Sequence, residues 1–103
     1  MQYHLIYITT KDEDEARGIG KKLVEEKLAA CVNIHPMKSI YRWEGKIEEE
    51  GETALLVKTK AELADEVIER VKELHSYEVP CIVSLPIEKG NPDYLKWIEE
   101  STK

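Results

Sequence analysis

Length, composition and charge limit the classes of protein to which this chain can belong. Its 103 residues are a common size for one domain with one hydrophobic core. Fifteen basic and 21 acidic residues give a net charge of −6, which disfavours nucleic acid and anionic membranes as partners. No apolar run reaches the roughly 18 residues of a membrane span, and the first residues have no basic region typical of a signal peptide. We therefore expect a single cytoplasmic domain over residues 1–103.

The kinds of charged and sulfur-containing residues add two expectations. Charged residues make up 35% of the chain, mostly Glu and Lys, and amides are few, a balance typical of thermostable proteins. The only two cysteines are Cys31 and Cys81. In a cytoplasmic chain we expect two buried thiols rather than a disulfide.

Hydrophobic patterning predicts the order β-α-β-(hairpin arm)-β-α-β-α. The strand segments are rich in β-branched and aliphatic residues and lie at 3–9, 28–35, 53–59 and 79–87. The helices have apolar residues at helical spacing and lie at 12–27, at about 63–75 and after Asn91. Between the second and third strands, a segment from Ser39 to Glu52 predicts an antiparallel arm with an acidic tip.

Local signals predict where these elements begin and end. The spacings Thr10–Glu13 and Thr59–Glu62 match capping boxes at the starts of the first two helices. Pro36 is expected to end the second strand. Asn91 followed by Pro92 predicts a cap and a first-turn proline for the last helix.

Two βαβ units around an antiparallel pair predict an α+β, ferredoxin-like split βαβ fold. This arrangement has an antiparallel sheet, an extended hairpin arm and a short C-terminal helix. In the first strand, Leu5 and Tyr7 point to one face of the sheet, whereas Ile6 and Ile8 point to the other. Both faces are therefore apolar, and two helices can cover only one of them. The sequence thus predicts self-association through the uncovered face.

Five segments together resemble the CutA divalent-cation tolerance proteins over nearly the whole chain. They are AACVNI (29–34), SIYRWEGKIE (39–48), LLVKT (55–59), HSYEVP (75–80) and GNPDYLKW (90–97). The resemblance implies a ferredoxin-like subunit, a tight homotrimer, an architecture similar to PII signal-transduction proteins, and a link to tolerance of copper and other divalent cations. It also implies a copper site, but the corresponding positions are Thr9, Leu74 and His75, so one proposed ligand remains.

The candidate metal ligands are His75 and Cys31. No zinc-finger spacing occurs, and Cys31 and His35 on one strand lie ~13 Å apart, too far to bind one ion together. Any metal site must therefore form by tertiary or inter-subunit contacts. His75 is also consistent with a cation at a helix C-terminus. Cys81, on an apolar strand face, is interpreted as a buried structural thiol.

A set of aromatic and polar residues is predicted to converge in a cleft between subunits. Its members come from the arm, a core strand and the ends of elements: Tyr41, Trp43, Lys58, His75, Tyr77, Tyr94 and Trp97. Lys58 lies within an apolar strand and needs an anionic partner there, either a carboxylate or a ligand. Packing across a neighbouring subunit is the alternative for the aromatics. For the acidic run at 48–52, a solvated turn is expected and a cation site is the alternative.

Two functions remain open at this point. The first is a cytoplasmic homotrimer for divalent-cation tolerance, with no obligatory cofactor and with weak binding of copper or another divalent cation. The second is a PII-like trimeric signalling or scaffold protein whose inter-subunit clefts bind a small anionic ligand or a protein partner. No nucleophile motif, phosphate loop or catalytic pair is present, so we do not expect an enzyme.

Overall fold

Residues 1–103, described by a computed structural model, form an antiparallel sheet with three helices. The strands are β1 (Tyr3–Thr10), β2 (Cys31–Trp43), β3 (Lys46–Lys60) and β4 (Ile82–Ile87). The helices are α1 (Glu13–Glu25), α2 (Ala64–Leu74) and α3 (Pro92–Glu100). The strands lie in the order β2-β3-β1-β4, and every neighbouring pair is antiparallel. The predicted α+β fold class is confirmed.

Helices α1 and α2 cover one face of the sheet and form the hydrophobic core with it. Ile6 and Ile8 of β1 are fully buried there, as alternation along a strand requires. Leu23 of α1 and Val67 of α2 are equally buried against them. None of the three helices has the length and apolar character needed to cross a membrane.

The opposite face of the sheet, here called the open face, carries apolar side chains without a covering layer. Leu5 and Tyr7 of β1 are only partly buried. Their neighbours on β4, Leu85 and Val83, are 49% and 48% exposed. The predicted two-sided apolar sheet is therefore confirmed within one chain.

Strand β2 begins later and runs further than the sequence predicts. The chain leaves α1 through Lys27, which has a positive φ of 60°, and then buries Leu28 and Ala29 in the core before β2 starts. Pro36 does not end the strand but pairs with Thr53 inside it. Because β2 is an edge strand, a missing N–H at Pro36 is tolerated.

Neither predicted capping box forms. Thr10 remains in β1, where its hydroxyl donates to the carbonyl of Thr53 at 2.8 Å. Asp12 caps α1 instead, accepting from the Glu15 amide at 2.8 Å. The Thr59 hydroxyl donates to the carbonyl of Leu28 at 2.6 Å, and a 3-10 turn precedes α2 without a side-chain cap. In both cases the threonine hydroxyl bonds a carbonyl that is distant in the sequence, instead of an N–H group in the first turn of the helix.

The arm is one continuous β2–β3 hairpin, and its acidic residues are not at its tip. The tip is a two-residue turn of Glu44 and Gly45, whose φ values of 48° and 78° suit the twist of a tight hairpin. The acidic run lies instead within β3, so the prediction of an acidic tip and a solvated turn is wrong. Strand β4 starts at Ile82, and Asn91 caps α3 as predicted.

Candidate functional site

A cleft of about 780 Å³ lies between the arm, the end of β1 and the loop before β4. Its lining is mostly aromatic, acidic and small polar: Thr9, Ser39, Tyr41, Trp43, Glu48, Glu50, Glu52, Ser76, Tyr77, Glu78, Val79 and Cys81. The volume is that of a typical small-ligand pocket. The lining contains four carboxylates and no Lys or Arg, so the cleft is suited to positive charge.

The arm places its carboxylates and aromatic rings on the same face. Glu48 pairs with Tyr41 across the β2–β3 ladder, and Glu50 pairs with Ser39. Alternate residues of a strand share a face, so Glu48, Glu50 and Glu52 line the cleft together. Burial and the adjacent Glu50 carboxylate raise the pKa of the Tyr41 phenol.

Glu52 is the most buried of these carboxylates, at 9% exposure. The phenol of Tyr77 donates a 2.8 Å hydrogen bond to its Oε2 atom. Burial, this hydrogen bond and the surrounding negative charge raise the pKa of Tyr77 well above its usual value. Tyr77 therefore stays protonated and acts as a donor.

His75 lies beneath the cleft with a fully buried side chain. Its Nε2 donates to the carbonyl of Thr9 at 2.7 Å, and its Nδ1 accepts from the amide of Tyr77 at 3.0 Å. The ring is also 4.8 Å from the ring of Tyr77, centroid to centroid. Both ring nitrogens are therefore occupied, so the expected helix-end cation is instead a neutral, hydrogen-bonded imidazole.

Glu15 of α1 also binds the loop before β4, which carries Ser76 and Tyr77. Its Oε2 accepts from the amide of Ser76 at 2.8 Å, and its Oε1 accepts from the amide of Lys11 at 3.1 Å. Burial would raise the pKa of this carboxyl, but the hydrogen bonds outweigh it and the pKa of Glu15 is lowered. The loop that carries Tyr77 is thus fixed to both α1 and β1.

Lys58 and Cys31 lie outside the cleft of their own chain. They are paired in the β2–β3 ladder, on the open face, and Lys58 Nζ lies 3.7 Å from Cys31 Sγ. Lys58 also donates to the side-chain oxygen of Asn33, so an amide takes the place of the expected anionic partner. Lys58 lies six positions along β3 from Glu52, a distance of roughly 20 Å.

The remaining predicted residues are divided between the two ends of the sheet. Tyr41, Trp43 and Tyr77 line the cleft. The rings of Tyr94 and Trp97 of α3 are in contact, with centroids 5.5 Å apart and planes tilted by 36°, near the starting end of β1, where Tyr3 donates to Glu99. That end is roughly 20 Å from Thr9. One chain therefore does not bring all seven residues together.

Two further outcomes concern the sulfur and copper-ligand positions. Cys81 immediately precedes β4, is exposed in the single chain and lines the cleft, so the prediction of a buried thiol is wrong within one chain. Thr9 and His75 are in contact, whereas Leu74 packs against the core. His75 and Cys31 do not share a site within one chain, and no group of three His, Cys, Asp or Glu residues is placed to hold a metal ion.

Sequence reasoning considered a cation site for the acidic run at 48–52 but favoured a solvated turn. The spacing of Glu48, Glu50 and Glu52 matches one face of a strand, a signal that a turn interpretation hides. Glu15 has no such signal, because its partner Ser76 is 61 residues away in the chain.

Comparison with known proteins agrees with this architecture. The family model described as CutA1 divalent ion tolerance protein matches residues 4–101. The chain belongs to the CutA1 family. A curated relative, the divalent-cation tolerance protein CutA of Archaeoglobus fulgidus, is 50% identical over 98% of this chain and 99% of its own length. The CutA protein of Thermus thermophilus is 54% identical over 95% of this chain and 96% of its own.

Solved CutA1 structures superimpose closely on this chain. The structure from Archaeoglobus fulgidus, described there as a periplasmic divalent cation tolerance protein, has a TM-score of 0.96 and covers 98% of this chain and 99% of its own. Rice CutA1, at 39% identity, has a TM-score of 0.97 and covers 100% of this chain and 95% of its own. The sheet and long arm described above are therefore those of CutA1 structures.

Proposed function

We propose that this CutA1 protein acts as a cytoplasmic homotrimer that binds copper or other divalent cations weakly and so contributes to their tolerance. The observation that carries this proposal is the group of cleft carboxylates without a basic partner. All five ion pairs that Lys and Arg side chains form use other carboxylates. Since no three ligands converge, weak binding through Glu oxygens is expected, with no obligatory cofactor.

The open face supports assembly. Its half-exposed Val83 and Leu85 lie beside Tyr7 and Leu5, so an apolar sheet surface faces solvent in the single chain. Strands β2 and β4 are also unpaired at their outer edges. Association of three chains would bury this face and pair or cover these edges.

The charge of the cleft argues against the anionic-ligand alternative. Four glutamates line it, and Lys58, the residue that suggested an anion, lies outside the cleft, roughly 20 Å along β3 from Glu52. A binding role rather than catalysis is proposed, since the side chains that meet here are held in structural hydrogen bonds. The cytoplasmic location is part of this proposal and is testable by cell fractionation.

Calorimetric titration with Cu²⁺, Zn²⁺ and Mn²⁺ tests the cation proposal. The wild-type protein should bind at least one ion with a dissociation constant below about 1 mM. Glu50→Gln should weaken this binding, because it removes one cleft carboxylate. Glu49→Gln, with the same charge change on the other face of β3, should not. Equal weakening by both variants, or no binding to the wild type, would refute a specific cation site.

Analytical ultracentrifugation measures the oligomeric state and so tests the proposed trimer. Leu85→Lys places a charge on the open face and should shift the protein to smaller species at micromolar concentration. Val24→Lys is a matched control, because Val24 is 43% exposed but lies on α1, away from the open face. A wild-type monomer, or a Leu85→Lys variant that assembles normally, would contradict trimerisation through this face.

A further inference from the structure

We draw no further inference here: the strongest candidate, the groove of about 490 Å³ between α1 and β2 that Arg17, Lys21 and Val24 help to line, adjoins the outer edge of β2 that assembly would cover, and nothing in the structure shows what occupies it.

Discussion

The phenol of Tyr77 donates a 2.8 Å hydrogen bond to the buried carboxylate of Glu52, and this contact joins the loop before β4 to the hairpin arm. The loop is itself fixed by His75 and Glu15, so the arm is attached to the body of the domain through a chain of polar contacts. The orientation of the cleft wall therefore depends on a few identifiable hydrogen bonds.

Tyr77→Phe should destabilise the protein by about 1–3 kcal/mol, because it leaves Glu52 buried without a donor. Chemical unfolding at a fixed protomer concentration measures the change. Tyr94→Phe removes a hydroxyl from an exposed tyrosine and should have little effect. Equal stability of the two variants would show that the Tyr77–Glu52 contact contributes nothing.

His75→Ala should lower the free energy of unfolding by roughly 2–4 kcal/mol. It leaves the Thr9 carbonyl and the Tyr77 amide without their partners and also removes a buried ring. His75→Gln can donate and accept through one side chain, so it should lose less. A larger loss in the Gln variant would contradict the assigned hydrogen bonds.

The free energy of unfolding should depend on pH in the acidic range through the carboxyl group of Glu15. Its folded-state pKa is lowered, so its contribution is present above the unfolded value of about 4.3 and is lost as pH falls through the folded pKa. Glu15→Gln should therefore be less stable than wild type at pH 7, and this difference should shrink between about pH 5 and pH 3. Thermal unfolding across this range measures it.

Glu13→Gln is the control for this pH series, because it removes a carboxylate from the same first turn of α1. It reports the interaction with the helix dipole without the loop contacts of Glu15. A Glu15→Gln difference that stays constant with pH, or equals that of Glu13→Gln, would contradict the hydrogen-bonded role of Glu15.

Trp43→Ala should weaken assembly if the arm reaches a neighbouring subunit. Trp43 is 47% exposed in the single chain, and a tryptophan buried at an interface is often worth about 2 kcal/mol or more. A dilution series by sedimentation measures the dissociation. Trp43→Phe should retain most of the affinity, and unchanged assembly in the Ala variant would place the main contact elsewhere.

The fold was predictable because strand and helix periodicity is local. The alternation of Ile6 and Ile8 with Leu5 and Tyr7 indicates β1 and its two faces, and Asn91 caps α3 as its sequence suggests. The predictions failed where contacts between residues distant in the sequence determine the local structure. Thr10 and Pro36, for example, behave as they do because β3 lies beside them.

The site was only partly predictable. Tyr41, Trp43 and Tyr77 were identified by residue type, and they do share one cleft. Lys58 was placed on the correct strand face, but its distance from the arm depends on register and strand length, which composition does not indicate. The burial of Glu52 was not predicted, because it results from packing of the loop before β4.

The central position of β1 determines when the sheet can be completed during folding. β1 pairs with β3 and β4, so Tyr3 meets Lys60 and Ile87, residues that emerge far later from the ribosome. Such non-local pairing slows folding, because long loops must close before contacts form. The β2–β3 hairpin closes locally at Glu44 and Gly45 and can form first. The nascent chain therefore carries an unpaired first strand until β3 has been synthesised, and one edge of that strand stays unpaired until β4 follows.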